Sequence, residues 1–247
     1  EDNFKPNLEA VPEDIWNKCQ ILILCSPSNP TGYCMEKKEL LLALELAEKH
    51  DFLVCSDECY TDIYPSDKEH PCSLVEAKDI LEKNSRSIVF HSLSKRSNLA
   101  GLRSGFVCAN EEIIKKFLLY RTYHGVTLSI PAQEASIWAW NDHKHVENNR
   151  KDYDLKFTEA LKQLKSFKEI KRPPGSFYLW IETPIDDKVF VKKLYEEQGI
   201  VLLPGSYLGN KQKGVNPGAG FVRVAIVHDQ ATLKDAIHRL SEGLANI

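Results

Sequence analysis

Apolar residues along this chain follow two rhythms. Unbroken apolar runs bounded by proline, glycine or polar clusters predict strands, and apolar positions three and four apart predict helices. After a polar opening with Pro6 and Pro12 and a short helix from Glu13, residues 20–25 form the first unbroken run and predict a buried strand. It ends in Ser26-Pro27-Ser28-Asn29-Pro30-Thr31-Gly32, a loop stiffened by prolines and released by a glycine. A helix follows over 36–50, its inner face marked by Leu40, Leu44 and Ala47. Residues 52–56 predict the next strand, which runs straight into Asp57-Glu58-Cys59-Tyr60. Strand, loop, helix and strand between residues 20 and 60 make a βαβ unit. A polar, proline-bearing excursion occupies 61–86, and strands are predicted over 87–91 and 104–109.

From residue 111 the rhythm becomes helical, over 111–124, 131–141 and 146–167. In the last of these, Tyr153, Phe157, Ala160, Leu161 and Leu164 recur at helical spacing. The remainder alternates. A strand is predicted over 176–181, and a helix over 187–198 with Asp186 or Asp187 as its N-cap and Gly199 as its stop. A short strand over 200–203 is followed by a Pro204-Gly205-Ser206 turn and a strand over 221–227. Asp229 caps a final helix that buries Leu233, Ile237, Leu240 and Leu244. The pattern is α/β: a sheet with flanking helices over 1–150, then a small α+β unit over 151–247 that includes the connecting helix.

Three loops thus begin at the carboxyl ends of strands on one sheet edge, where open α/β sheets place ligand sites. They carry Asn29, then Asp57 and Tyr60, then Ser92-Leu93-Ser94-Lys95. A lysine amine there can form a covalent bond with a carbonyl compound. The hydroxyls of Ser92 and Ser94 and the guanidinium of Arg103 suit a phosphate. Arg223 lies inside an apolar strand, where a charge is costly unless paired.

Composition narrows the function classes. The 247 residues carry a net charge of −3, so no basic surplus points to nucleic acid. No apolar run approaches the roughly 20 residues of a membrane span, and the start lacks a signal-peptide pattern. The seven cysteines contain no Cys-x-x-Cys and several sit in apolar runs, the pattern of reduced core thiols in a cytoplasmic protein. His143 and His145 have no evident third ligand, so no metal site is expected. Glu58 reads as a structural carboxylate.

Ser-x-Ser-Lys at 92–95 followed by Gly101-Leu102-Arg103-Ser104-Gly105-Phe106 resembles the cofactor-lysine motif of fold-type I aminotransferases, which depend on pyridoxal 5'-phosphate. The run 92–106, together with Leu118-Leu119-Tyr120-Arg121-Thr122-Tyr123-His124-Gly125, is similar to the N-succinyldiaminopimelate aminotransferase branch. Asn29, Asp57, Tyr60, Lys95, Arg103 and Arg223 stand in the family order. The resemblance implies the C-terminal part of a fold-type I transferase plus a small α+β C-terminal domain. It implies that Lys95 holds the cofactor aldehyde and shuttles the substrate proton, and that Asp57 faces the pyridine nitrogen. Tyr60 and Asn29 donate to the ring oxygen, and Ser92, Ser94 and Arg103 take the phosphate. Arg223, with Asn29, takes the substrate α-carboxylate. Arg96, Arg121 and Tyr123 are candidates for a distal carboxylate.

The implied reaction exchanges an amino group between glutamate or 2-oxoglutarate and N-succinyl-LL-2,6-diaminopimelate, in lysine biosynthesis. The implied partners are amino-acid and 2-oxo-acid substrates and a second subunit in a homodimer, with no nucleic acid and no membrane. Alternatives within the fold are an alanine- or aspartate-type aminotransferase or a C–S lyase; outside catalysis, an aminotransferase-like fragment or module. The resemblance begins partway into the family pattern: no glycine-containing phosphate loop or ring-stacking aromatic is visible before Gln20. Weakened cofactor binding and exposed apolar surface are expected of such a chain.

Overall fold

A computed structural model describes residues 4–74, 86–125, 127–165, 170–211 and 213–245. Part of the excursion over 61–86 and the end of the predicted helix over 146–167 lie outside the described residues. The chain forms two compact units. One comprises residues 1–28, 33–150 and 174–176; the other comprises 29–32, 151–173 and 177–247.

The first unit is built on a four-stranded sheet of order β1-β2-β3-β4. Its strands are β1 (Ile21–Cys25), β2 (Leu53–Asp57), β3 (Ser87–Ser92) and β4 (Gly105–Ala109). β1, β2 and β3 are parallel, and β4 returns antiparallel to β3. A short helix α1 (Glu13–Trp16) precedes β1, and α2 (Lys37–His50) crosses over from β1 to β2. α2 starts where the Glu39 carboxylate accepts from the Glu36 N–H at 2.7 Å and from the Tyr33 hydroxyl at 2.6 Å. It ends at Asp51, whose left-handed backbone (φ 59°) stops the helix. Leu40, Leu44 and Ala47 are buried, as their spacing predicts, and Ala43 joins them. They pack with Leu24, Val54 and Val89 from the sheet and with Trp16, which stacks on Phe52 at 5.4 Å.

β1 departs from expectation. It is an edge strand rather than a buried one: Leu24 is buried, but Ile21 and Ile23 are 54% and 74% exposed. Side chains alternate across a strand, so helix α2 covers one face only. α3 (Leu93–Arg96), α4 (Glu111–His124), α5 (Ile130–Asn141) and the long α6 (Lys144–Leu164) complete this part of the chain. α4 begins on an Asn110 cap, whose side chain accepts from the Ile113 N–H at 2.9 Å. No residue of α4 is buried, and of α5 only Ser136 is. Leu118, Leu119, Tyr123, Ile130 and Trp138 are all well exposed. All seven cysteines are half-buried thiols outside any disulfide.

The second unit holds a three-stranded antiparallel sheet of order β5-β7-β6, with β5 (Tyr178–Glu182), β6 (Leu203–Pro204) and β7 (Phe221–Ala225). β6 is shorter than its apolar run, and Ile200 and Leu202 are buried ahead of it. α7 (Asp187–Gln198) is capped by Asp186, which accepts from the Lys188 and Val189 N–H groups. It ends on Gly199, whose positive φ of 63° suits glycine. In α8 (Gln230–Ala245), Leu233, Ile237, Leu240 and Leu244 are buried. The Asp229 carboxylate receives the Ala231 and Thr232 N–H groups at its start. Tyr153, Phe157, Ala160 and Leu164 of α6 are buried in this unit, whereas Leu161 is only half-buried. No helix among the described residues is long and apolar enough to cross a membrane.

Candidate active site

In the first unit the parallel strands deliver their ends side by side. Cys25 is in register with Asp57, and Asp57 with Phe90. The loop after β2 and the turn after β3 therefore emerge at one sheet edge, which brings Asp57, Tyr60, Ser92, Ser94 and Lys95 together. Lys95 lies in α3, a single turn of four residues anchored by Leu93, which is fully buried. Burying a leucine contributes about 1.5–3 kcal/mol, enough to pin so short a turn. Ser92 caps it: the Ser92 hydroxyl accepts from the Ser94 N–H at 3.1 Å and lies 2.9 Å from the Ser94 hydroxyl. The half-buried Lys95 amine stands 5.8 Å from the centre of the Tyr60 ring.

Asp57 is half-buried and its Oδ1 accepts from the Cys59 N–H at 3.1 Å. Burial, and then the Asp57 carboxylate, push the Cys59 thiol far above its ordinary value, so this thiol stays protonated beside the carboxylate. Glu58, between them, is 1% exposed and points the other way. Its carboxylate accepts from the Ser56 hydroxyl and the Leu74 N–H, each at 2.9 Å, and from the Ser73 hydroxyl. His91 Nε2 lies 3.6 Å away. This is the saturated environment of a structural carboxylate.

Ser92 pairs with Gly105 in the β3–β4 ladder. A Cβ on Gly105 would stand 2.3 Å from the His91 carbonyl oxygen, so only glycine permits this approach. Arg103, exposed, holds a left-handed backbone (φ 57°), and its Nη1 donates to the Ala100 carbonyl at 2.8 Å. That conformation costs a non-glycine residue about 1–2 kcal/mol, the kind of strain that gathers at sites.

Arg96 corrects an expectation. Its side chain is buried and spoken for: Nε is 3.4 Å from Asp62, and Nη1 donates to the Ala139 carbonyl at 2.8 Å. The guanidinium sits 5.0 Å over the Trp140 ring. Burial lowers its pKa, opposed by the charges of Asp62 and Asp142. It has no donor to offer a distal substrate carboxylate. Arg121 and Tyr123 are exposed on α4. His145 bonds Asp142 and the Ser97 hydroxyl, and no metal-ligating cluster occurs among the described residues.

Arg223 and Asn29 belong to the second unit. β7 is the central strand of its sheet, so Arg223 does not point out of an edge. The half-buried guanidinium lies 4.4 Å over the Tyr178 ring, and Nη1 donates to Asn29 Oδ1 at 2.8 Å. Arg223 is in register with Trp180, which puts Tyr178 diagonally across on the same face. Tyr178 was not expected beside Arg223 from the sequence; its signal was an aromatic in the strand paired with β7. The buried Asp187 carboxylate accepts from the Ser206 N–H at 2.8 Å and the Gly220 N–H at 3.3 Å, and so ties the loop before β7 to the start of α7.

Residues 1–240 match the family model described as aminotransferase class I and II. The chain belongs to that family. An LL-diaminopimelate aminotransferase of Maridesulfovibrio salexigens is 30% identical to this family member over 251 residues, covering 98% of the chain and 61% of the relative. A solved aminotransferase from Neisseria meningitidis Z2491 matches it with a TM-score of 0.89 and 40% identity, over 97% of this chain and 61% of that one. A probable N-succinyldiaminopimelate aminotransferase from Thermus thermophilus gives a TM-score of 0.84 at 28% identity, over 98% and 64%. The aminotransferase-family chain thus spans about 61% of the length of the curated relative. The fold is that of fold-type I aminotransferases.

Aminotransferases of this class use pyridoxal phosphate. The donor set of the first unit fits that group: an amine in a half-buried turn, a carboxylate, a phenol, two hydroxyls and an arginine.

Proposed function

We propose that this protein is a pyridoxal phosphate-dependent aminotransferase. The observation that carries the reading is the first-unit cluster, with Lys95 beside the Tyr60 ring and Asp57 at the end of the neighbouring strand. When bound, the cofactor supplies an electron sink for the substrate Cα. Lys95 would hold its aldehyde carbon, and its Nζ, once released, would take the proton from the substrate Cα as general base and deliver it to the cofactor carbon as general acid. Asp57 would hold the protonated ring nitrogen by charge, and Tyr60 would donate its hydroxyl to the ring oxygen, a role the family order also gives Asn29. Ser92, Ser94 and Arg103 hold the phosphate. Arg223 orients the substrate α-carboxylate with a guanidinium fork whose plane is fixed by Tyr178 and Asn29. The division of the chain into a cofactor-binding part over 1–150 and a small C-terminal domain over 151–247 follows the same reading.

The amino donor is glutamate and the second substrate N-succinyl-LL-2,6-diaminopimelate, a step of lysine biosynthesis in the cytoplasm. The run 92–106 and the Thermus thermophilus relative support the succinylated substrate; the Maridesulfovibrio salexigens relative is named for free LL-diaminopimelate. A homodimer is part of the proposal, supported by the uncovered apolar residues of α4 and α5.

The test adds pyridoxal phosphate to the purified protein and to Lys95→Ala, and follows visible absorption while glutamate is titrated. A visible band that bleaches with glutamate in the native protein and is missing from the variant is the expected result. Turnover by Lys95→Ala would refute the assignment. Comparing N-succinyl-LL-diaminopimelate with the free diamino acid decides the substrate.

A further inference from the structure

Two segments that approach each other carry the reactive groups of the first unit. One is the loop holding Asp57 and Tyr60; the other is the turn holding Lys95. A residue two places beyond Tyr60 and the residue after Lys95 form an ion pair. Asp62, two places after Tyr60, has its Oδ2 3.4 Å from Arg96 Nε, and Arg96 follows Lys95 directly. Arg96 is 4% exposed, yet its other donors are also engaged. Nη1 reaches the Ala139 carbonyl at 2.8 Å, and Nη2 the Trp140 carbonyl at 3.5 Å and His143 Nδ1 at 3.4 Å. Those carbonyls belong to the last turn of α5, whose open C=O groups attract a cation. The flat guanidinium also stacks on Trp140. Arg150 adds a weaker contact, 4.0 Å from Asp62 Oδ1. One buried fork therefore joins the Tyr60 segment, the Lys95 turn and the end of α5.

The turn needs such an anchor. With four residues, α3 has little stability of its own. Leu93 fixes its start, and Arg96 is the buried side chain at its end.

We infer that Arg96 is a positioning residue: its ion pair with Asp62 and its bonds to the carbonyl end of α5 hold Lys95 at its place beside Tyr60. The inference rests on Lys95 being the cofactor lysine. A lysine at position 96 supplies the charge but not the fork, so even the conservative exchange loosens the turn.

The test reads Lys95 itself. The native chain, Arg96→Lys, Asp62→Asn and the double variant are treated with pyridoxal phosphate and then borohydride. Peptide mapping then gives the labelling rate of Lys95 against that of the exposed Lys115. Each single variant should slow Lys95 labelling about tenfold or more, because reactivity depends steeply on placement. Lys115 should be unaffected. The double variant should be no slower than the slower single, since both changes break one unit. Should Arg96→Lys fold poorly, Asp62→Asn, which keeps the side-chain shape, carries the comparison. Single variants within about twofold of the native rate, or losses that multiply in the double variant, overturn the inference. Repeating the series with formaldehyde in place of pyridoxal phosphate reads the amine without the cofactor. A native Lys95 that ignores pyridoxal phosphate overturns the assignment of Lys95, whereas variants with an unchanged formaldehyde rate overturn the role of Arg96.

Discussion

Replacing Asp187 by asparagine isolates the worth of one buried charge. Asp187 is 1% exposed, and its two oxygens receive the backbone N–H groups of Ser206 and Gly220. Burial raises its pKa, but the hydrogen bonds from Ser206 and Gly220 outweigh that and leave it below the usual aspartate value. Hydrogen bonds to a charged acceptor contribute about 1.5–3 kcal/mol each. The Ser206 bond is short and the Gly220 bond long, so the pair amounts to about 2–4 kcal/mol. Asparagine keeps one oxygen and turns an amide N–H₂ toward the other donor. Asp187→Asn should therefore cost about 2–3 kcal/mol at pH 7, measured as the difference in urea-unfolding free energy. The pH dependence has a definite sign. A carboxylate whose pKa is lower folded than unfolded stabilises fully above its unfolded value of about 3.9, and loses that contribution as pH falls through the folded value. The gap between native and variant protein should thus be full at neutral pH and shrink below about pH 4. A gap under about 0.5 kcal/mol at pH 7, or one that widens on acidification, would refute the reasoning.

Gly105→Ala places a methyl group 2.3 Å from the His91 carbonyl oxygen, so β3 and β4 must separate beside Ser92. The expected cost is about 1–3 kcal/mol in urea unfolding, and an unchanged midpoint would show that the ladder yields freely. In the active enzyme, Arg223→Lys removes both the fork and the stack on Tyr178. It should raise KM for the amino-acid substrate by about tenfold or more; a change confined to kcat would take Arg223 out of substrate binding.

Much of the architecture was legible because its signals are local. The loops after 25, 57 and 92 could be placed at strand ends from apolar runs alone. The inner faces of α2 and α8 followed from spacing, and Gly199 and Asp229 marked helix ends by backbone chemistry. What escaped were facts about neighbours. Ile21 and Ile23 look buried in sequence but lie exposed, because α2 covers only the opposite face of the strand. Arg96 looked like a substrate ligand because sequence cannot show that Asp62, Ala139 and Trp140 already take its donors. Asp186 and Asp187 were equivalent as caps on paper. In the structure Asp186 caps α7, and Asp187 turns inward to hold Ser206 and Gly220.

The bond from Arg223 to Asn29 closes a span of 194 residues. Loop-closure entropy must be met before so remote a contact gives anything back, and contacts of high sequence separation slow folding. The pairing of β1, β2 and β3 draws on residues 21–92, and the Lys95 turn needs in addition the end of α5 that holds Arg96, so both can form while the rest is still being synthesised. The guanidinium fork, by contrast, has to wait for β7 near the chain's end. The bond that orders the Arg223 guanidinium therefore forms last, after the sheet of the first unit and the Lys95 turn are in place.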